Sequence, residues 1–188
     1  MPESAHERLE DEKEERIYGV IYSMSPSGGL RHAAVNGNIH GALREKLKGN
    51  LCIVTMENVD IYMADGDYVT PDVMIICDRK NKKGEKYTGV PRFVVETLSR
   101  STRAKDMSVK KRRYQDLGVE EYWLVDPKGN SVDIYYLEEG VYALHDSVTF
   151  VDDPEDDDNN PDKSICLRAF PHIGLSLEVI FADPWKDE

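Results

Sequence analysis

The sequence predicts a single mixed α/β domain, and three observations carry that expectation. A chain of 188 residues suits one domain with a full core. Its apolar runs are short and rich in Val, Ile and Phe, as in Val73-Met74-Ile75-Ile76 and Phe93-Val94-Val95, which is how buried strands read. Helix signals come before these runs and again after them, so the order helix, strands, helix, strand fits a mixed sheet flanked by helices.

Residues 1–15 are charged and helix-prone, a surface helix or arm that reaches Arg16. Ile17 to Met24 alternates around Gly19 as a strand or tight hairpin, and Ser25-Pro26-Ser27-Gly28-Gly29 is a loop. Arg31 to Lys48 reads as a helix, with Val35, Ile39, Leu43 and Leu47 on one stripe and Gly49-Asn50 as its stop. Cys52 to Met63 and Val69 to Cys77 are expected strands around the turn Asp65-Gly66-Asp67. Arg79 to Val90 is a basic loop, and Arg92 to Leu98 is the next strand. After the cap region Ser99-Arg100-Ser101-Thr102, a helix over Arg103 to Leu117 closes on Gly118. Glu121 to Val125 is a strand, and Val132 to Leu137 with Tyr142 to Val151 form a hairpin around Glu139-Gly140. Residues 152–162 are an acidic, solvated loop insertion whose Asp spacing fits no EF-hand. Ile165 to Phe181 ends the domain with strand character.

Composition narrows the function. The start of the chain shows no apolar signal segment, and the apolar stretches are strand-sized, so no membrane span is expected. Cys52, Cys77 and Cys166 make no CxxC and read as ordinary buried thiols of a reducing cytoplasm. With 24 basic and 36 acidic residues the net charge is −12, which taken whole disfavours a nucleic-acid partner. The distribution argues otherwise. Residues 79–113 hold 13 Lys and Arg against 3 acids, a local +10 that leaves −22 elsewhere. This segment reads either as a solvated basic surface or as a groove for a polyanion.

Asp72 opens one buried run and Glu96 ends another. Charged side chains are rare there unless they are paired or metal-bound. Two neighbouring carboxylates repel unless a cation or a shared proton lies between them, and Mg2+ suits oxygen ligands of this kind. The alternative is a strand-entry residue at Asp72 and a strand-end ion pair at Glu96. Val94, Glu96 and Leu98 share a strand face, so a lysine at 98 would complete a compact trio, but Leu98 stands there. Asp106, Lys110 and Tyr114 recur four residues apart on one helix face, and Lys110 can reach back to the carboxylates. The alternative is a plain Asp106–Lys110 surface pair.

Four segments then carry a resemblance. They are Thr70-Pro71-Asp72-Val73, Phe93-Val94-Val95-Glu96-Thr97-Leu98-Ser99, Asp106-x3-Lys110-x3-Tyr114-x3-Gly118-Val119 and Glu121-Tyr122-Trp123-x-Val125-Asp126-Pro127. From about Arg16 to Phe181 the chain resembles the small restriction-endonuclease-like proteins of the PD-(D/E)XK nuclease superfamily. The resemblance implies a restriction-endonuclease-like fold, a central mixed sheet with an αβββαβ core. It also implies a Mg2+ (or Mn2+) site on Asp72 and Glu96, with the usual lysine moved onto the helix at Lys110. An auxiliary acid is implied at Glu15, which otherwise reads as one more solvated acid. His32 resembles a family position as well; it could bind a phosphate or a water, or be a hydrogen-bonded histidine at a helix start. The segment Pro171 to Leu177 matches the family's closing strand.

The sequence is thus expected to encode a Mg2+-dependent endonuclease acting on DNA. Asp72 and Glu96 hold the metal, Lys110, Glu15 and His32 assist, and residues 79–113 contact phosphates. A homodimer is expected from the need to cut two strands. The rivals are a non-catalytic nucleic-acid-binding module on the same fold and a structural protein whose carboxylates only form ion pairs.

Overall fold

The computed structural model describes residues 13–24, 29–183 and 185. The expectation of a charged helix at residues 1–15 lies outside these except at its end. There Glu14–Ile17 is a strand (β1) that turns back into Val20–Ser23 (β2). The turn residues Tyr18 and Gly19 both have positive φ, the conformation that two-residue hairpins require. Asp67 holds it by accepting from the amides of both residues.

The main sheet has the order β12-β11-β10-β9-β6-β3. Ile53–Met56 (β3) is one edge of it, followed inward by Val73–Ile76 (β6), Phe93–Thr97 (β9) and Glu121–Asp126 (β10). Helix α1 (Leu30–Lys46) precedes them, and a helix over 103–117 joins β9 to the parallel β10. This is the αβββαβ order. Ser131–Glu138 (β11) and Val141–Thr149 (β12) extend the sheet as a hairpin. A second sheet combines β1 and β2 with Ile61–Tyr62 (β4), Tyr68–Val69 (β5), Lys82–Lys83 (β7) and Lys86–Tyr87 (β8). The chain ends in a small hairpin, Ser164–Cys166 (β13) with Gly174–Ser176 (β14), and helix α4 (Leu177–Phe181).

Side-chain alternation gives the main sheet two buried faces. Val73, Ile75, Phe93, Val95, Trp123 and Val125 pack under α1 and α4. Met74, Val94, Tyr122 and Leu124 face the other way, against Tyr114, Leu98 and the second sheet.

Three expectations change. Cys52 to Met63 is two strands in different sheets, broken where Glu57 takes a φ of 49°. Val69 to Cys77 also divides, because Pro71 has no amide proton for a ladder and the chain crosses there from one sheet to the other. The basic loop 79–90 contains the β7–β8 hairpin rather than irregular chain alone.

The cysteines are also corrected. The register Ile53↔Ile76 brings Cys52 opposite Cys77, and the two form a disulfide, while Cys166 is exposed. The pairing follows from strand register between residues 25 apart, which spacing in the sequence does not reveal. The thiol argument for a reducing compartment therefore falls. Among the described residues no helix is long and apolar enough to cross a membrane.

Candidate active site

The site lies at the junction of the two sheets, on the connector Thr70-Pro71-Asp72. The β6–β9 pairing sets Val73 against Val95, and one step further along that register Asp72 faces Glu96. Glu96 is buried on the floor, while Asp72 and His32 keep some solvent access. Glu15 reaches the same place from β1 and is fully buried.

Lys110 ties these elements together. Its Nζ donates to Glu96 Oε1 at 2.6 Å, to Glu15 Oε1 at 3.0 Å and to the Thr70 carbonyl at 3.0 Å. An ammonium has three protons, so this one is fully engaged. Tyr114 donates to Glu96 Oε1 at 2.6 Å, one helical turn further on. Lys105 pairs with Glu15 Oε2 at 2.5 Å.

The helix geometry at this point is unusual. Asp106–Lys110 is a π-helical turn between the α-helical pieces Arg103–Lys105 (α2) and Lys111–Leu117 (α3). Such single turns frequently mark functional sites. Asp106 and Lys110 both face inward, and the helix ends on Gly118 at a φ of 90°, the left-handed closing residue expected. Asp106 Oδ2 is buried with no hydrogen-bond partner among the described residues.

Electrostatics follow from this crowding. Burial would push the Lys110 ammonium's pKa down, but Glu96, Glu15, Asp106 and Asp72 together hold it above its ordinary value. Burial likewise lifts Glu15, yet Lys110 and Lys105 bring its carboxyl below the usual carboxylate value. Glu96 goes the other way. Burial raises its carboxyl well above the ordinary value, Asp72, Asp106 and Glu15 add to that, and Lys110 opposes it. Asp106 is raised as well, first by burial. Fully ionised, four carboxylates and the ammonium groups of Lys105 and Lys110 would leave two negative charges.

The donor set fits a hard divalent cation. Asp72 Oδ2 accepts from the Thr97 amide at 2.7 Å, and Glu96 Oε1 accepts from Lys110 and Tyr114. Among the described residues no group of three or more His, Cys, Asp or Glu is placed to hold a metal ion, so any cation here would rest on two carboxylates. Two carboxylates completed by water and substrate are how Mg2+ is usually held.

The five residues singled out in the sequence therefore meet in one place. His32 stands in the first turn of α1 with Nδ1 facing Asn36 at 3.3 Å and Nε2 3.3 Å from Asp72 Oδ2. Burial would lower its pKa, but Asp72 and Glu57 raise it. Sequence reasoning missed Lys105, Asn36, Thr97 and Glu57. It named Asp106 only as a helix-face neighbour.

The basic segment 79–113 does not form one groove. Lys105 and Lys110 are consumed in ion pairs with buried acids, and Arg113 pairs with the buried Asp67 and the exposed Asp65. Arg92 and Arg103 pair with Glu120 and Asp126. Arg79, Lys80, Lys82, Lys83 and Lys86 stay exposed on and before the β7–β8 hairpin, at the edge of the second sheet. Three of the segment's bases are counter-charges to buried acids and most of the others are exposed on several separate elements, a difference that a linear count does not reveal.

Residues 3–177 match the model of a family described as "Putative restriction endonuclease" (Uma2). An uncharacterized protein of Synechocystis sp. (strain ATCC 27184 / PCC 6803 / Kazusa) is 30% identical over 132 residues, 69% of either chain. A crystal structure described as a putative nuclease belonging to DUF820, from Anabaena variabilis ATCC 29413, superposes with a TM-score of 0.70 at 16% identity. The match covers 96% of this chain and 93% of that one. The fold is shared.

Proposed function

The chain belongs to the Uma2 family, described as putative restriction endonucleases, and from that premise we propose that it is a Mg2+- or Mn2+-dependent endonuclease hydrolysing phosphodiester bonds in DNA. The observation that carries the reading is the pair Asp72 and Glu96, brought together where the β6–β9 pairing ends and beside a lysine, each with one oxygen held by the protein.

Asp72 and Glu96 are the residues that would hold the cation, which when bound supplies Lewis acidity at the phosphoryl group and makes a water more acidic. Lys110 fixes Glu96 Oε1 and offsets its charge; with all three protons engaged it acts by orienting the carboxylate. Glu15 fixes Lys110 and Lys105 in turn. His32, which holds a proton more readily than an isolated imidazole, stands with Nε2 toward Asp72 Oδ2 and steadies that carboxylate. The exposed Lys80, Lys82, Lys83 and Lys86 offer further phosphate contacts. Surface depressions of about 340 and 500 Å³ lie elsewhere, beside Asp78 and Arg92 and beside Tyr136 and His145. Cutting both strands of a duplex would take two copies of the site, hence a homodimer.

The test is nicking of supercoiled plasmid with Mg2+ or Mn2+. Asp72→Asn and Glu96→Gln should each lower the rate by about 10³-fold with DNA binding retained. Unchanged nicking in either variant rejects the assignment. A wild type that binds DNA and never cleaves it with any divalent metal makes the chain a binding module.

A further inference from the structure

One buried amide stands behind the metal-facing carboxylate and has no part in the chemistry above. Asn36 lies on the inner side of α1 and is completely buried. Its Nδ2 donates to Glu57 Oε1 at 2.7 Å, and a carboxylate oxygen only accepts, so the amide's orientation is fixed. The carbonyl Oδ1 then accepts from Thr97 Oγ1 at 2.5 Å. The same Nδ2 faces His32 Nδ1 at 3.3 Å. A donor at that position makes Nδ1 the acceptor, so the proton of the neutral imidazole sits on Nε2. That nitrogen points at Asp72 Oδ2, 3.3 Å away.

The contacts close a ring. Thr97 reaches Asp72 Oδ2 through its own amide at 2.7 Å, and His32 reaches the same oxygen from the other side. Glu57 is locked into the ring by its backbone as well, since its amide donates to the Asp72 carbonyl at 3.1 Å. Its positive φ is strained for a residue with a side chain, a conformation that persists when surrounding structure enforces it. Every link ends on Asp72 or on a group that touches it. Apolar residues would fill this space without any orphaned donor, so the ring's consequence is orientation.

We propose that Asn36 is a positioning residue for Asp72: through Thr97 and His32 it commits one oxygen of that carboxylate to the protein and leaves the other for a divalent cation. The proposal rests on the metal site described above. Hydrogen-bonded partners behind metal ligands commonly change affinity or activity about 10–100-fold when removed.

The experiment has two arms. Long-range proton–nitrogen spectra of the metal-free, ¹⁵N-labelled protein, taken at alkaline pH where His32 is neutral, report which ring nitrogen carries the proton. Calorimetric titration with Mn2+ alone reports affinity. Wild type should show the Nε2–H form. Asn36→Asp puts an acceptor opposite Nδ1, and should move the proton to Nδ1 and weaken Mn2+ binding about 10–100-fold. An unchanged tautomer and unchanged affinity in that variant overturn the proposal, as does an Nδ1–H wild type that still binds Mn2+. Wild type that shows Nε2–H but binds no Mn2+ rejects the metal reading of the site, and the proposal with it. Should Asn36→Asp not fold, Thr97→Val removes only the hydroxyl contact. Weaker Mn2+ binding then supports the role, and unchanged binding overturns it.

Discussion

Replacing Lys110 by Met removes an ammonium while keeping most of the side chain's volume, and so isolates the charge at the centre of the site. In the native protein that ammonium meets Glu96 at 2.6 Å and Glu15 at 3.0 Å, with essentially no solvent access to any of the three. Taking away one partner of a buried pair leaves an uncompensated charge, at a cost of about 3–5 kcal/mol. For a domain of this length each kcal/mol shifts the melting temperature by about 2–4 °C, so the drop should fall at about 6–20 °C. Tyr114 still donates to Glu96, and Lys105 still pairs with Glu15, which places the expectation at the lower half of that range. Thermal unfolding followed by circular dichroism measures it. The double substitution Lys110→Met with Glu96→Gln should recover much of the loss, because it removes both charges of the pair. A shift below about 2 °C for Lys110→Met would refute the reasoning, since it would mean that the lysine is solvated rather than buried among acids.

Two further outcomes are expected. Burial, partly offset by hydrogen bonds from Trp123, Arg168 and Ala169, lifts the Glu121 carboxyl from an ordinary 4.5 to about 7. The folded state then keeps a proton that the unfolded chain releases, so this group's stability contribution is fully present below pH 4.5 and is lost as pH rises to about 7. The ceiling is about 3 kcal/mol, and Glu121→Gln should flatten the denaturation profile between those limits; matching pH slopes in the two proteins would contradict it. Reducing the Cys52–Cys77 disulfide, which closes a loop of 25-residue separation, should cost about 3 kcal/mol in the chain-entropy account. Calorimetry with and without reductant tests this, and an unchanged melting temperature together with three titratable thiols in the native state, rather than Cys166 alone, counts against the crosslink.

The sequence by itself determined the elements and most of the site's chemistry. Apolar runs at Val73–Ile76 and Phe93–Val95 mark the central strands, since a strand buried on both faces has no polar alternation to hide it. The four-residue recurrence of Asp106, Lys110 and Tyr114 puts all three on the buried face, because that spacing depends only on neighbours one turn apart. Leu98 lies in the apolar cluster, so the strand position where a lysine was looked for is filled with core, and the charge comes from the helix instead.

Only the tertiary structure decided which charges meet. Glu15 and Lys105 are 90 residues apart, and Asn36 and Thr97 are 61 apart. Their contacts depend on how two sheets and α1 converge at Pro71, which no local pattern encodes. The same distance hid the disulfide, set by the β3–β6 register, and the partners of those bases that found acids far along the chain, such as Arg113 with Asp65 and Arg103 with Asp126. Periodicity is written within a few residues of each position. The partner of a buried charge is chosen by whatever the fold brings beside it, because in a dry interior an unpaired charge is too costly to keep.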